Sequence, residues 1–299
     1  MHVFVTGATG FIGSAIVREL IGAGHRVLGL ARSDKAAGSL TAAGAEVQRG
    51  SLEDLESLRR GAADTDAVIH TAFIHDFNNY GPAAAADARA IETLGAALAG
   101  SDRQLIVTSG TLLARGHGPL ATENDPADTA FPRKSEDAAH AAAERGARVS
   151  IVRLPPSVHG EGDHGFVPAL IKVAREKRLS AYVGDGLNRW SAVHRLDAAH
   201  LYRLVLEKDS DGATYHGVAD EGVPARNIAE TIGHHLNVPV ISKSSEEAAS
   251  HFGWIGYFFA IDGPASSTQT RQRLGWRPIQ PGLISDLNAE HYFAIERAA

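Results

Sequence analysis

An α/β fold built on a doubly wound parallel sheet is predicted by three features of the sequence. Short apolar segments alternate with helical patterns through the first half of the chain. A glycine-rich turn separates the first apolar segment from the first helix. The chain has 299 residues, of which 44% are hydrophobic, which is enough to bury a large core. Alternating strands and helices place helices on both faces of one parallel sheet.

The predicted elements follow one another in the order that such a sheet requires. Strands are predicted around residues 3–5, 26–30, 45–47, 67–69, 105–107 and 149–152, and helices over 13–21, 52–60, 83–99 and 135–144. Gly22 and Gly24 end the first helix. Beyond Pro155 and Pro156 the chain becomes richer in loops and aromatic residues. We therefore predict a sheet domain over residues 1–155 and a smaller region over 156–299, partly interleaved with the sheet.

Composition excludes several classes of function. The net charge is −6, and an acidic chain without a basic patch is not expected to bind nucleic acid. The absence of cysteine excludes disulfides, thiolate metal centres and a cysteine nucleophile. The 15 histidines lack the paired spacing of a zinc motif, so no metal is predicted. No apolar run approaches the ~18 residues of a membrane span, and we expect a cytoplasmic protein without a membrane partner.

Residues 6–13, Thr-Gly-Ala-Thr-Gly-Phe-Ile-Gly, have the pattern of a dinucleotide-binding turn. Gly7 makes the tight turn, Gly10 lets backbone N–H groups approach a pyrophosphate, and Gly13 lets the helix pack closely on the strand. The helix N-terminus adds partial positive charge. A plain tight turn is the alternative, and the strand–turn–helix context disfavours it. The predicted cofactor contacts here are Gly7, Thr9, Gly10, Phe11, Ile12 and Gly13.

The end of the second strand bears on the choice of cofactor. The position where an acidic residue would bind a ribose hydroxyl holds Ala31, and Arg32 follows it. An arginine there can bind a 2′-phosphate, which favours NADP(H) over NAD(H). The alternative is that Arg32 is an ordinary surface arginine.

An ordered set of motifs resembles the short-chain dehydrogenase/reductase superfamily, in its extended and atypical branches, which include epimerase/dehydratase-like proteins. The motifs run through nearly the whole chain: TGxxGxxG at 6–13, a GDLxD-like segment at 50–54, the segment at 70–72, an R-P-x-x-V-Y-G-like segment at 153–160, V-x-D-x-A at 193–199 and LGWxP at 274–278. The resemblance implies a Rossmann fold that binds a nicotinamide cofactor. It also implies cofactor contacts at Ser33, Ser51, Leu52, Thr71, Ala72, Pro155, Ser157 and Val158.

The chain departs from the catalytic pattern of that superfamily. Aligning the family's Tyr-x-x-x-Lys pair places Pro132 at the tyrosine and Glu136 at the lysine. Proline has no side-chain proton, and a glutamate cannot replace a positive charge. The resemblance is therefore to atypical members that have lost this pair, and the proton donor is expected elsewhere. The candidate catalytic residues are Ser109, Thr111, Lys134 and His159.

Several roles have two interpretations. His159 and His194 can transfer a proton near neutral pH or can be hydrogen-bonded structural residues, the commoner case. Lys134 can reach the nicotinamide ribose or pair with an acid. The aromatic residues between Phe252 and Phe259 suit a pocket wall or lid for an apolar substrate, and equally a core segment or a subunit contact.

The predicted function is NADPH-dependent reduction of a carbonyl or related unsaturated group in a small, partly apolar molecule. The alternatives are an epimerase or dehydratase with a retained cofactor, and a non-catalytic NADP(H)-binding sensor. The alanine-rich helices over 83–99 and 138–144 would suit a homodimer interface or packing within one chain.

Overall fold

A computed structural model describes residues 1–76, 80–114, 118–209 and 211–294 of the chain. The strands are β1 (His2–Thr6), β2 (Arg26–Ala31), β3 (Glu46–Arg49), β4 (Ala67–His70), β5 (Gln104–Gly110), β6 (Arg148–Leu154), β7 (Ser157–His159), β8 (Ser180–Val183), β9 (Arg189–His194), β10 (Thr214–His216), β11 (Asp220–Pro224) and β12 (Val240–Lys243). The α-helices are α1 (Phe11–Gly22), α2 (Asp34–Ala42), α3 (Leu55–Ala63), α4 (Tyr80–Leu98), α5 (Ser135–Glu144), α6 (Phe166–Lys177), α7 (Arg195–Lys208), α8 (Ala225–Leu236), α9 (Ser245–Phe252), α10 (Ile255–Phe259), α11 (Thr268–Leu274) and α12 (Leu283–Leu287). Short 3₁₀ turns lie at Thr111–Leu113 and Glu290–Tyr292.

The central sheet has seven parallel strands in the order β10-β6-β5-β4-β1-β2-β3. The direction of winding reverses between β1 and β4, which is the place where this class of sheet opens a crevice at the carboxyl ends of its strands. Helices α1 and α7 pack on one face, and α3, α4 and α5 cover the other. This arrangement confirms the predicted doubly wound Rossmann fold.

The structure corrects the predicted elements in three places. Helix α2 was not predicted, because only Ala37 and Leu40 of its nine residues are buried and its apolar periodicity is weak. Helix α3 begins at Leu55 instead of residue 52, since the side chain of Asp54 accepts a hydrogen bond from Ser57 N and caps the helix there. The central sheet has a seventh strand, β10, which is a three-residue segment that the sequence pattern did not reveal.

The chain beyond Pro155 contributes to both parts of the molecule. Helix α7 packs on α1, and β10 extends the central sheet beside β6. The rest forms a three-stranded sheet, β11-β9-β7, and a two-stranded sheet, β12-β8, which share a separate hydrophobic core with α6, α8, α9, α10 and α12. Strand β7 pairs with β9 in parallel, so that His159 lies opposite His194.

Candidate functional site

The glycine-rich turn between β1 and α1 has a geometry that only glycine permits at two positions. Gly7 has φ +68°, and a Cβ there would lie 2.8 Å from Ala72 N. A Cβ on Gly13 would lie 2.0 Å from the carbonyl oxygen of Gly7. Gly10 donates its N–H to that same oxygen at 2.8 Å, and it begins α1 without a side-chain cap. The first N–H groups of α1 therefore have no side-chain cap and are available to an anion.

Residues at the end of β4 support this turn from below. The Thr71 hydroxyl donates to Thr6 O at 2.8 Å, and Ala72 N donates to Thr6 Oγ1 at 3.4 Å. Thr6 Oγ1 also lies 2.8 Å from Nδ1 of the buried His70, whose Nε2 is 3.2 Å from Asp87 Oδ1. The predicted contacts Thr71 and Ala72 are thus placed against the turn, with the Thr71 hydroxyl engaged by its backbone.

The residues predicted for the adenosine end lie after β2 and β3. Arg32 is exposed at the end of β2. The Ser33 hydroxyl accepts from Ala36 N at 3.2 Å and caps α2. The Ser51 hydroxyl accepts from Glu53 N and Asp54 N at 3.3 Å, and Leu52 packs against the core that α3, α4 and α5 cover. Hence Ser33 and Ser51 hold the local backbone, and Arg32 is the exposed cation among them.

Two of the residues predicted for the nicotinamide end carry a buried polar atom that has no hydrogen-bond partner in the described part of the chain. These atoms are Ser157 Oγ and His159 Nε2. Both lie on the same face of β7, since alternate residues of a strand share a face. Pro155 is buried before them, and Val158 between them is half-buried. Buried polar groups nearly always have partners, so each of these two atoms keeps a hydrogen-bonding position that the described residues leave open. Together with the glycine turn, they fit a dinucleotide lying across the crevice.

Ser109 belongs to a buried ion-pair cluster. Its hydroxyl donates to Glu136 Oε1 at 2.7 Å, and Arg153 binds both carboxylate oxygens of Glu136 at 2.8 and 2.7 Å. Burial alone would raise the pKa of Glu136, but the hydrogen bonds and charge of Arg153, with the Ser109 hydroxyl, hold it below its ordinary value. Glu136 is therefore an acceptor, and the hydrogen of Ser109 is committed to it.

The other candidate catalytic residues have the following contacts. The Thr111 hydroxyl lies 3.3 Å from Ser191 Oγ, and both are buried. Lys134 donates to the carbonyl of Thr129 and lies 3.5 Å from Asp137, which is the ion pair considered as one of its two roles. Catalytic roles for Ser109, Thr111 and Lys134 remain predictions.

His159 is fully buried, and its Nδ1 lies 2.8 Å from Asp286 Oδ2. Its ring meets that of His194 edge to face, with centroids 5.5 Å apart. His194 Nδ1 accepts from Leu196 N and caps α7, and burial lowers the pKa of this histidine. Sequence reasoning missed Asp286, because the carboxylate lies 127 positions from His159 and no local pattern connects the two.

The predicted aromatic stretch divides between core and surface. Phe252 and Phe259 are 5% and 1% exposed and belong to the core. Trp254 and Tyr257 are 39% and 64% exposed. The core interpretation therefore applies to Phe252 and Phe259, and a pocket wall, a lid or a subunit contact stays a prediction for Trp254 and Tyr257.

Four aromatic side chains form what we call the aromatic wall: Phe166 of α6, Trp190 of β9, Trp254 at the N-cap of α10 and Phe258 within α10. The ring of Phe166 lies 5.6 Å from Trp190, 5.6 Å from Trp254 and 5.1 Å from Phe258, measured between centroids. Trp190 immediately precedes Ser191, which contacts the Thr111 hydroxyl. Because successive residues of a strand point to opposite faces, the Trp190 ring and the Ser191 hydroxyl lie on opposite faces of β9.

Fold and site together define a Rossmann-type protein that holds a nucleotide cofactor at the carboxyl edge of its sheet. Residues 3–218 match the model of the NAD dependent epimerase/dehydratase family, and the chain belongs to that family. Its members bind NAD(P) cofactors, and membership confirms the resemblance to the extended short-chain dehydrogenase/reductases. No helix in the described residues is long and apolar enough to cross a membrane.

Comparisons with individual proteins cover nearly the whole chain. An uncharacterized protein of Schizosaccharomyces pombe is 52% identical over 98% of this chain and 100% of its own length. A ketoreductase of Stigmatella aurantiaca is 29% identical over 85% of this chain and 80% of its own. The structure of a UDP-glucose 4-epimerase of Thermus thermophilus in complex with NAD has the same fold, with a TM-score of 0.77, 20% identity, and coverage of 98% and 99% of the two chains.

Proposed function

We propose that the protein is an NADPH-dependent reductase acting on a carbonyl, or a related unsaturated group, of a small and partly apolar molecule. The observation that carries this proposal is the exposed end of the aromatic wall, where Trp254 is 39% exposed and packs against Phe166. Ring surfaces bind the apolar part of a ligand, and a few polar groups orient its reactive end. The Stigmatella ketoreductase supports the same chemistry, since it is named for a farnesyl-bearing substrate, 4-hydroxy-2-methyl-3-oxo-4-farnesyl-3,4-dihydroquinoline-1-oxide.

The bound cofactor would supply the hydride. The oxygen of the carbonyl then gains negative charge and needs a proton. His159 is the proposed donor, because the Asp286 carboxylate on Nδ1 keeps a proton there and leaves Nε2 as the nitrogen that exchanges one. The Thr111 hydroxyl is proposed to orient the substrate oxygen, because the hydrogen of Ser109 is donated to Glu136.

Arg32 is proposed to bind the 2′-phosphate of NADPH. Replacing it with alanine should weaken NADPH binding by ~1.5–3 kcal/mol, the scale of a hydrogen bond to a charged group, and leave NADH binding nearly unchanged. Arg26, which lies exposed at the opposite end of β2, is the matched control. A titration in which the wild-type protein prefers NADH would contradict the proposal.

The substrate class is tested by measuring NADPH oxidation with ketones of increasing chain length. Trp254→Ala should raise KM about tenfold for the longer ketones, as expected for the loss of ~1.4 kcal/mol of apolar contact, and leave the fold intact. The core variant Phe259→Ala is the control and should lose ~3–5 kcal/mol of unfolding free energy. A co-purifying nucleotide that does not exchange, without net oxidation, would indicate an epimerase or dehydratase. Binding of NADPH without any turnover would indicate a sensor.

Proton donation by His159 has its own test. His159→Ala should lower the rate of a single turnover by ~10²-fold, the low end of general acid catalysis, while the Kd for NADPH is retained. His200, a partly exposed histidine paired with Glu19, is the control. An unchanged rate in His159→Ala would assign the proton to another group.

A further inference from the structure

The side chain of Arg195 extends from the second half of the chain onto the glycine-rich turn. Arg195 is the first residue of α7, and its Cζ lies 5.1 Å from the ring centroid of Phe11, the first residue of α1. Two glycines after β7 leave room for it: a Cβ on Gly160 would lie 3.3 Å from Arg195 Cγ, and one on Gly162 would lie 3.8 Å from Arg195 Nη1. The path of the side chain is therefore fixed by its neighbours at both ends.

The guanidinium of Arg195 has no hydrogen bond or ion pair with any residue that the structure describes. It is half-buried, whereas the buried Arg153 is bound by Glu136. The nearby loop acid Asp163 is occupied, because one carboxylate oxygen accepts from Gly165 N and the other from the Tyr292 hydroxyl. Its donors are therefore open to an external acceptor, and an anion is the acceptor that a guanidinium binds most strongly.

The glycine turn is where such an anion binds. The N-terminus of α1 carries a partial positive charge of roughly half a unit, and residues 6–13 contain no charged side chain. A pyrophosphate brings two negative charges, and the planar guanidinium matches phosphate oxygens with paired donors. We propose that Arg195 binds the pyrophosphate of the dinucleotide beside the N-terminus of α1. The proposal rests on the cofactor binding contained in the proposed function and assigns to it a residue outside the glycine motif.

The test measures binding and does not depend on activity. Arg195→Met keeps an apolar side chain over Phe11 and removes the charge. The Kd values of NADPH, NADH and ADP-ribose, which share the pyrophosphate, are measured by calorimetry on the full chain. All three should rise by the same factor, roughly 10- to 150-fold. Arg18→Met is the matched control, since it removes an exposed charge from α1 about 10 Å along the helix axis, and its Kd values should change less than twofold.

Two further measurements separate charge from packing. The Kd of the wild type should rise more steeply with salt concentration than that of Arg195→Met, since an ionic contact is screened. Arg195→Lys keeps the charge without the fork and should recover part of the lost affinity, which a purely structural role would not produce.

The outcomes are distinguishable. A loss confined to NADPH would place the guanidinium at the 2′-phosphate and overturn the proposal. Unchanged Kd values in Arg195→Met would also overturn it, whether or not the KM of a substrate rises. If the wild-type chain binds none of the three ligands, the proposed function itself fails.

Discussion

Replacing Gly13 with alanine tests the cofactor turn most directly. The new Cβ would lie 2.0 Å from Gly7 O and 2.7 Å from Gly7 C. Both are backbone atoms, so no side-chain rotation relieves the overlap. The turn and α1 would have to separate by about 1.4 Å to reach the 3.4 Å of ordinary contact. Such overpacking costs ~1–3 kcal/mol, and it displaces the N–H groups at the start of α1, which are the predicted pyrophosphate contacts.

We therefore expect Gly13→Ala to lower the unfolding free energy by ~1–3 kcal/mol and to weaken NADPH binding at least tenfold, the equivalent of one lost hydrogen bond to a charged group. Urea denaturation and calorimetric titration measure the two effects. Gly38→Ala is the control, because Gly38 lies within α2 and a Cβ there would meet no atom within 4 Å. The unfolding free energy of that variant should rise by ~0.5–1 kcal/mol, because alanine has a higher helix propensity than glycine. Wild-type affinity and stability in Gly13→Ala would refute the reasoning.

Two further predictions concern buried carboxylates. Glu136→Gln should lower the unfolding free energy by ~3–5 kcal/mol, because it leaves Arg153 buried without a counter-charge, whereas Asp137→Asn at an exposed pair should change it by less than ~1 kcal/mol. The Glu136 contribution exists above its ordinary pKa of 4.5 and is lost as the pH falls below that value, so urea titrations should show the gap between variant and wild type shrink in acid. Burial raises the pKa of Asp163 from 3.8 to about 6, so its contribution is present at low pH and is lost as the pH rises through 6. The unfolding free energy of Asp163→Asn should consequently rise by up to about 3 kcal/mol relative to that of the wild type between pH 4 and pH 7. A constant difference between the two proteins across that range would contradict this assignment.

The central sheet was predictable because its signals are local. Each buried parallel strand is a short apolar run, and α5 has the bounds that its alanine-rich pattern predicted. Helix α2 escaped prediction because it covers the sheet edge with two buried residues, which is too few to produce a periodic signal. Strand β10 escaped because three residues carry almost no periodicity, and its place beside β6 is set by tertiary contacts.

Within the candidate site, the glycine-rich turn could be predicted from the sequence. Gly13 is required by its close approach to Gly7, six positions earlier, and Gly7 by its positive φ, so the spacing alone reveals them. The partners of the other site residues come from distant segments. Glu136 stood out only as a misfit in a family pattern, and nothing in the sequence indicated that Ser109 and Arg153 bind it.

The C-terminal segment shows why the other half of the site has no local signature. Asp286 binds His159, and the Tyr292 hydroxyl accepts from Gly160 N at 3.1 Å and lies 3.2 Å from Asp163. These contacts span about 130 positions and hold the loop that leads from β7 into α6, the helix that begins with Phe166 of the aromatic wall. The same contacts thus position both the proposed proton donor and the apolar surface. A family can keep the glycine turn and change its substrate by altering such distant pairs, since function depends on the site built on the fold.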